Sequence, residues 1–501
     1  MGRYRGSEMH PQEDDGLKQL PLTSEELQKL FSSSADVVFR VVQLRSRVPL
    51  NVTLVYVDGL TDQKMIDDNV IRPLSGGVFQ ACSTLAEAFK LSQDGALEVS
   101  VVTAASDMAI AVSALLSGKA LLCFDKLQSI LTLSTIKFEK RTVDTATEEV
   151  PYRAAKESFV ETLRINTALL RRKISSSSLV LEETTAGRQS NTRICIAYMR
   201  NICNESFITE VRKNIGEINQ DCVASIQDIT ANVVRKKLPL FPIAVVTEKP
   251  EICARLLLEG RIAVIAAELP YAMIFPAVFN DFFQASGDYS VNFATMTFFR
   301  LLRYLCFILS ITFPGFFISM VMYHPEMIPY DLAIRIAATR SGVPFSVFIE
   351  AIAMSFAFFA LLQASLMIVQ NVGGAVSIVG GLVLGQAAIS AGLVSPAVIV
   401  IVAASSIFSL VVPLKELNMV GWISQFICTA FSALLGLLGL VIVLLTILFM
   451  LARLTPLGVP YLAPFAGTRH SQLSDTFIKA PENLIKDRPL FLSPKNRRRR
   501  S

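Results

Sequence analysis

Apolar and polar positions alternate along the first half of this chain in two similar stretches. VTLVYV at 52–57 has the period of a strand and runs through Asp58-Gly59 into a helical pattern. ICIAYM at 194–199 does the same before RNICNESFITEV. Set side by side without gaps, Val52 meets Ile194, Tyr56 meets Tyr198, Leu60 meets Ile202 and Ile66 meets Ile208. Further on, Gly118 and Gly260 each follow an apolar helical pattern and stand at that same offset, where a left-handed residue after a helix favours glycine. Two matches at one offset predict tandem copies of a small α/β unit, each reading strand, helix, strand, helix and a glycine-turned strand. Between them, Phe159, Leu163, Asn166 and Leu170 fall at helical spacing. Arg164, Arg171, Arg172 and Lys173 are expected on the polar side of that linker helix, at an interface, near anionic headgroups or simply in solvent.

The pattern changes after residue 290. Tyr304–Met322 is an apolar run of about 28 Å as a helix, enough to cross hydrocarbon, with Arg300 and Arg303 at its front and Pro314 inside it. Val347–Val369 and Ser395–Pro413 are expected as further spans, and Gly421–Leu451 as one long final span with Trp422 as an interfacial anchor. The Gly/Ala/Ser-rich segment 372–392 is expected as a re-entrant or short helix. IAVIAAELPYAMIFPAVF at 262–279 is divided by Glu268 and Pro270 and is expected as a strand hairpin rather than a span.

Charge sharpens this division. Tyr304–Ala452 holds only seven charged residues: Glu326, Asp331, Arg335, Arg340, Glu350, Lys415 and Glu416. From Arg469 onward there are nine Lys/Arg against three acids, ending KNRRRRS, which places that tail in the cytoplasm with its bases drawn to anionic headgroups. The start, MGRYRGSEMHPQEDDG, has no apolar core of a signal peptide, so the front region is expected in the cytoplasm too and the number of crossings is even. The expected fold is an α/β cytoplasmic region of two tandem similar subdomains followed by an all-α multi-pass membrane domain of four spans plus a re-entrant or short helix. The boundaries read as a disordered tail at 1–30, subdomains at 31–140 and 181–290 with a linker helix in 141–180, a transmembrane domain at 291–455 and a basic tail at 456–501.

Catalytic chemistry finds little to stand on. The three histidines, His10, His324 and His470, form no HExxH, and there is no nucleophile elbow or phosphate loop. The eight cysteines are scattered without a CxxC pair, the usage of buried structural thiols. No cofactor and no metal is expected. A net charge of +5 comes without interleaved aromatics, so no nucleic-acid module is expected. The loop His324-Pro325-Glu326-Met327-Ile328-Pro329 offers two ligand types where zinc needs three or four, and its prolines shape a turn.

Several blocks are distinctive beyond their physics: HPEMIP at 324–329 followed by AATRSGVPFS, GGAVSIVGGLVLGQAAISAGLVSP at 373–396, and GVPYLAPF at 458–465 before DTFIKAP. With LLEGRIAVI, FRLLRYL at 299–305 and YVDGLTD, they resemble the GerA spore germination protein family, A subunit, from about residue 30 to 490. That resemblance implies a multi-pass protein of the spore's inner membrane in nutrient-triggered germination. It further implies a transporter-like B subunit and a lipoprotein C subunit as partners, a homo-oligomeric ring, and a ligand-gated ion-conducting pore. One departure stands out. Where the family carries charges along the second span, this chain has Ser355, Phe359, Leu362, Gln363 and Met367, and charges within a span are expensive and usually functional.

Candidate pore or gating residues are Gln363, Gln370, Asn371, Ser377 and Gln386, uncharged groups able to line a wet path or, equally, to pack helices tightly. Glu350, at the mouth of the second span, is expected to concentrate cations. The leading expectation is a germinant-receptor subunit that conducts or gates ion release. The alternatives are an accessory paralogue of the SpoVAF type that amplifies ion release without sensing nutrient, and a non-conducting membrane scaffold.

Overall fold

The computed structural model describes residues 16–136, 157–235, 240–285, 287–288, 292–367, 380–381, 383–466, 476 and 487–499. They divide into two units. One holds residues 1–237, 244–276 and 487–501, the other 238–243 and 277–486.

In the first unit β1 (Val37–Leu44), β2 (Leu50–Val57), β3 (Val102–Ala104), β4 (Ala120–Phe124) and β5 (Ser129–Leu133) form a sheet of order β1-β2-β4-β5-β3. β6 (Leu179–Ala186), β7 (Thr192–Met199), β8 (Val245–Thr247), β9 (Ile262–Ala266) and β10 (Ala272–Phe275) repeat that order as β6-β7-β9-β10-β8. Every neighbouring pair is antiparallel. The duplication expected from the sequence is thus the plan of the unit, with five strands per copy rather than three. The added strands are the edge strands β1 and β6 and the inner strand β5. β1 is easy to miss, because its apolar Val41 faces outward and is 67% exposed.

Helices fill matching places: α1 (Ser24–Leu30) precedes the first copy, which contains a helical run 63–75, α2 (Leu85–Leu91) and α3 (Met108–Leu116). The linker helix is α4 (Leu163–Lys173), and the second copy contains α5 (Glu205–Gly216), α6 (Ile226–Val234) and α7 (Pro250–Leu258). Both faces of the first sheet are covered. Val52, Leu54, Leu122 and Phe124 point into one core, while Val55, Val57, Leu121 and Cys123 point into the other. Two buried faces explain why these strands read as near-continuous apolar runs. The glycines that close α3 and α7 have φ of +91° at Gly118 and +105° at Gly260. At Gly118 a β-carbon would stand 3.0 Å from the Leu60 carbonyl oxygen, so conformation and contact both call for glycine there. The 262–279 run is the hairpin of β9 and β10, not a span.

α4 corrects one expectation. Arg171 does not face solvent or headgroups; it is fully buried. Its Nε and Nη2 donate to the two Asp36 carboxylate oxygens at 2.9 Å each, and Nη1 donates to the carbonyls of Ser176 (3.2 Å) and Leu179 (3.0 Å). The buried Asn166 amide brackets Val160, accepting from its N–H and donating to its C=O.

The second unit is helical: α8 (Phe293–Tyr323), α9 (Tyr330–Arg340), α10 (Val347–Met367), α11 (Pro396–Leu410), α12 (Lys415–Leu435) and α13 (Leu437–Arg453). α8, α10 and α12 are long and apolar enough to cross a membrane, and α11 and α13 are shorter apolar helices. Gly421–Leu451 is not one long span. It breaks at Gly436 (φ +63°, ψ −144°), and α12 and α13 fold back on each other there. α12 runs parallel to α8. A β-carbon on Gly421 would touch Phe307, one on Gly315 would touch Ser432, and Tyr323 Oη donates to the Ala433 carbonyl. α13 therefore returns toward the start of α8, where the Phe279 N–H donates to the Tyr461 carbonyl and the Phe465 ring meets Tyr304 at 6.4 Å. The chain enters and leaves this bundle at one end.

Candidate functional site in the helical bundle

The end of the bundle away from that entry carries the 324–329 loop. His324 ends α8, Pro325–Met327 is a single 3-10 turn, and Pro329 caps α9. Each proline sits where a missing N–H costs nothing, so the loop sets the exit of one helix and the entry of the next. His324 Nδ1 lies 3.4 Å from Glu326 Oε1. Among the described residues no three His, Cys, Asp or Glu side chains converge as a metal site would require.

Glu350 sits in the first turn of α10 and is 1% exposed, inside the bundle rather than at an open mouth. Its Oε2 accepts from both the N–H and the hydroxyl of Ser395 at 2.8 Å, the residue that caps α11. A carboxylate at a helix start meets its unpaired N–H groups and the positive end of its dipole. The other oxygen faces Arg340 Nε at 3.6 Å, and among the described residues neither of those two buried atoms has a hydrogen-bond partner. One carboxylate thereby joins the ends of α9, α10 and α11, around an apolar cluster that includes Ile318, Val347, Met354, Val394 and Val398.

The remaining candidates are placed as follows. Gln363 is half-buried on α10 and Gln386 is exposed in the helical stretch 383–390. That stretch and its preceding glycines pack against α10 and α11, with Gly380 against Leu361 and Gly385 against Ile399. Gln370, Asn371 and Ser377 lie outside the described residues. Phe359 stacks edge-on against Trp422 at 4.5 Å.

A polar seam between α11 and α12 was not anticipated. Gln425 Nε2 donates to Ser405 Oγ (3.3 Å), and the Trp422 indole N–H donates to Ser409 Oγ (3.1 Å) and Asn418 Oδ1 (3.0 Å). Ser405, Ser409, Ser424, Gln425, Thr429 and Ser432 are all buried. The available signal was the three-to-four-residue spacing of hydroxyls and amide along one face of each helix. Trp422 thus links α11 and α12 through its indole N–H. At the entry end, Asp288 accepts from Arg303 Nη1 at 2.8 Å and lies 3.4 Å from Arg300 Nε, so the two bases expected to flank the first span share a buried carboxylate.

In the two-sheet unit, a cleft of about 280 Å³ opens between the 58–64 turn and α4, with Lys64, Arg164 and Arg172 among its walls. Burial pushes the Cys203 thiol up to about 12, and raises those of Cys123, Cys195 and Cys253 as well. These are core thiols and not nucleophiles.

The sequence pattern of this architecture matches that of the Bacillus/Clostridium GerA spore germination protein over residues 25–491. The chain belongs to the GerA family. It is 32% identical over 472 residues to spore germination protein KA of Bacillus subtilis (strain 168), covering 94% of this chain and 86% of that protein. Spore germination protein GerLA of Bacillus cereus is 27% identical, with 94% and 95% covered. The crystal structure of the N-terminal domain of the A subunit of the Bacillus megaterium spore germinant receptor GerK3 aligns with 51% of this chain and 93% of its own, at 26% identity and a TM-score of 0.39. By its family and relatives, this GerA-family chain is a membrane protein of the germinant-receptor A-subunit type.

Proposed function

We propose that this chain is the A subunit of a spore germinant receptor, gating or conducting ion release when a nutrient is sensed. The observation that carries the reading is the family match over 25–491, which spans both the duplicated soluble unit and the helical bundle. Its partners are a transporter-like B subunit and a lipoprotein C subunit, it assembles as a homo-oligomeric ring, and it sits in the spore's inner membrane with both termini cytoplasmic. A bundle entered and left at one end supports that topology, because the crossings are then even in number. Gln363, Gln386, Gln370, Asn371 and Ser377 are the proposed wall of the ion path, and Glu350 sets how α10 and α11 meet beside it.

A second reading has its own observation. The only charge on α10 is Glu350, engaged with Ser395, and Phe359 packs on Trp422 where a charge would gate. That favours an accessory paralogue that amplifies ion release without sensing nutrient. Potassium efflux from spores lacking the protein, followed over a panel of single nutrients, separates the two. Loss of response to one nutrient class supports the receptor subunit, and uniform slowing with every nutrient supports the paralogue. Unchanged efflux overturns both.

A further inference from the structure

The final described stretch, 487–499, belongs to the same unit as the two sheets, which the chain left at residue 276. Its backbone closes on itself through Arg488 N–H to the Arg497 carbonyl (2.7 Å), and the Arg488 guanidinium donates to the carbonyls of Asn496 and Arg498. Leu492 and Pro494 are buried. The loop is held to the second repeat at one place. Lys495 N–H donates to the Ile202 carbonyl (2.9 Å), and its Nζ donates to Glu205 Oε1 (2.8 Å) and the Arg200 carbonyl (3.4 Å). Arg499 Nη2 donates to Glu259 Oε1 (3.1 Å), and Arg488 Nε donates to the Leu258 carbonyl (2.9 Å). Pro494 covers Gly260. The bases Arg488, Lys495 and Arg499 are therefore engaged by protein groups.

All these partners lie where the turn after β7 meets the end of α7. The first repeat has the same junction, where Gly118 approaches Leu60, and α4 covers its turn: a β-carbon on Gly59 would stand 3.0 Å from Ala168, and Arg164 Nε lies 3.2 Å from Asp58. The duplicated unit thus presents one edge twice, and two unrelated segments of the same chain cover it. We propose that this edge is a peptide-docking surface and that its occupant in the second repeat is the chain's own C-terminal segment, acting as a strap. The strap supplies a buried apolar residue, a proline two places on, and then a base. It attaches the second repeat to the chain at both the start and the finish of the membrane region. The Lys495 ammonium also holds the Glu205 carboxyl below its usual range, as a formed ion pair does.

The test is a double variant, Glu205→Cys with Lys495→Cys, in the full chain in its membrane, with exposed Cys222 replaced by serine. A short bismaleimide should give a product of monomer mass containing both peptides. Adding Leu492→Asp should lower its yield by about tenfold or more, since burying one leucine is worth at least a decade in an equilibrium. A product of dimer mass would overturn the proposal by assigning the edge to a neighbour's tail. So would the absence of any product from a chain whose circular dichroism matches the parent.

Discussion

A guanidinium with no exposed surface has five N–H donors to place, and Arg171 makes four hydrogen bonds, to Asp36, Ser176 and Leu179. Such a pair adds little by itself, but removing one partner leaves a charge stranded in the core. Asp36→Ala should therefore lower stability by about 3–5 kcal/mol. Urea unfolding of the purified chain in detergent checks this, and Asp36→Asn should recover part of the loss by still accepting one hydrogen bond. Nothing in LRINTALLRRK distinguishes Arg171 from its neighbours, since four bases within one helix look alike until a second segment supplies an acid. Glu350 is a similar case. Its charge was legible at the start of a span, but its burial against Ser395 depends on a residue 45 positions away.

At the scale of elements, the hairpin of α12 and α13 shows what an apolar run conceals. Composition does not separate one long tilted helix from two that fold back, and glycine is too common in spans to mark a break. What decides is Tyr323, whose ring would stand 3.1 Å from a β-carbon on Gly436, in a backbone region open almost only to glycine. Gly439 is tighter still, because a β-carbon there would collide with the Phe431 carbonyl. Gly439→Ala should lower the thermal midpoint by an amount equivalent to about 1–3 kcal/mol, the usual cost of overpacking. Gly216→Ala is the matched control, with nothing within 4 Å of the new methyl, and should be neutral or slightly stabilising.

For the molecule as a whole, a bundle entered and left at one end predicts that both termini lie on one side of the membrane. Epitope tags placed at residues 1 and 501 should both be cut by protease in inside-out vesicles and both be protected in right-side-out ones; cleavage of only one tag in either orientation would refute it. The duplication, the order of α/β unit then apolar helices, the β9–β10 hairpin and the family were all legible in the chain before it folds. They rest on local periodicity or on short motifs read in register. Folding alone settles that Arg171 is buried, that Glu350 joins three helices, that Ser405, Ser409 and Gln425 form a seam, and that residues 487–499 lie on the second repeat. Each of those depends on a partner far along the chain, and a polar group's role is set by whichever distant group satisfies it once water is excluded.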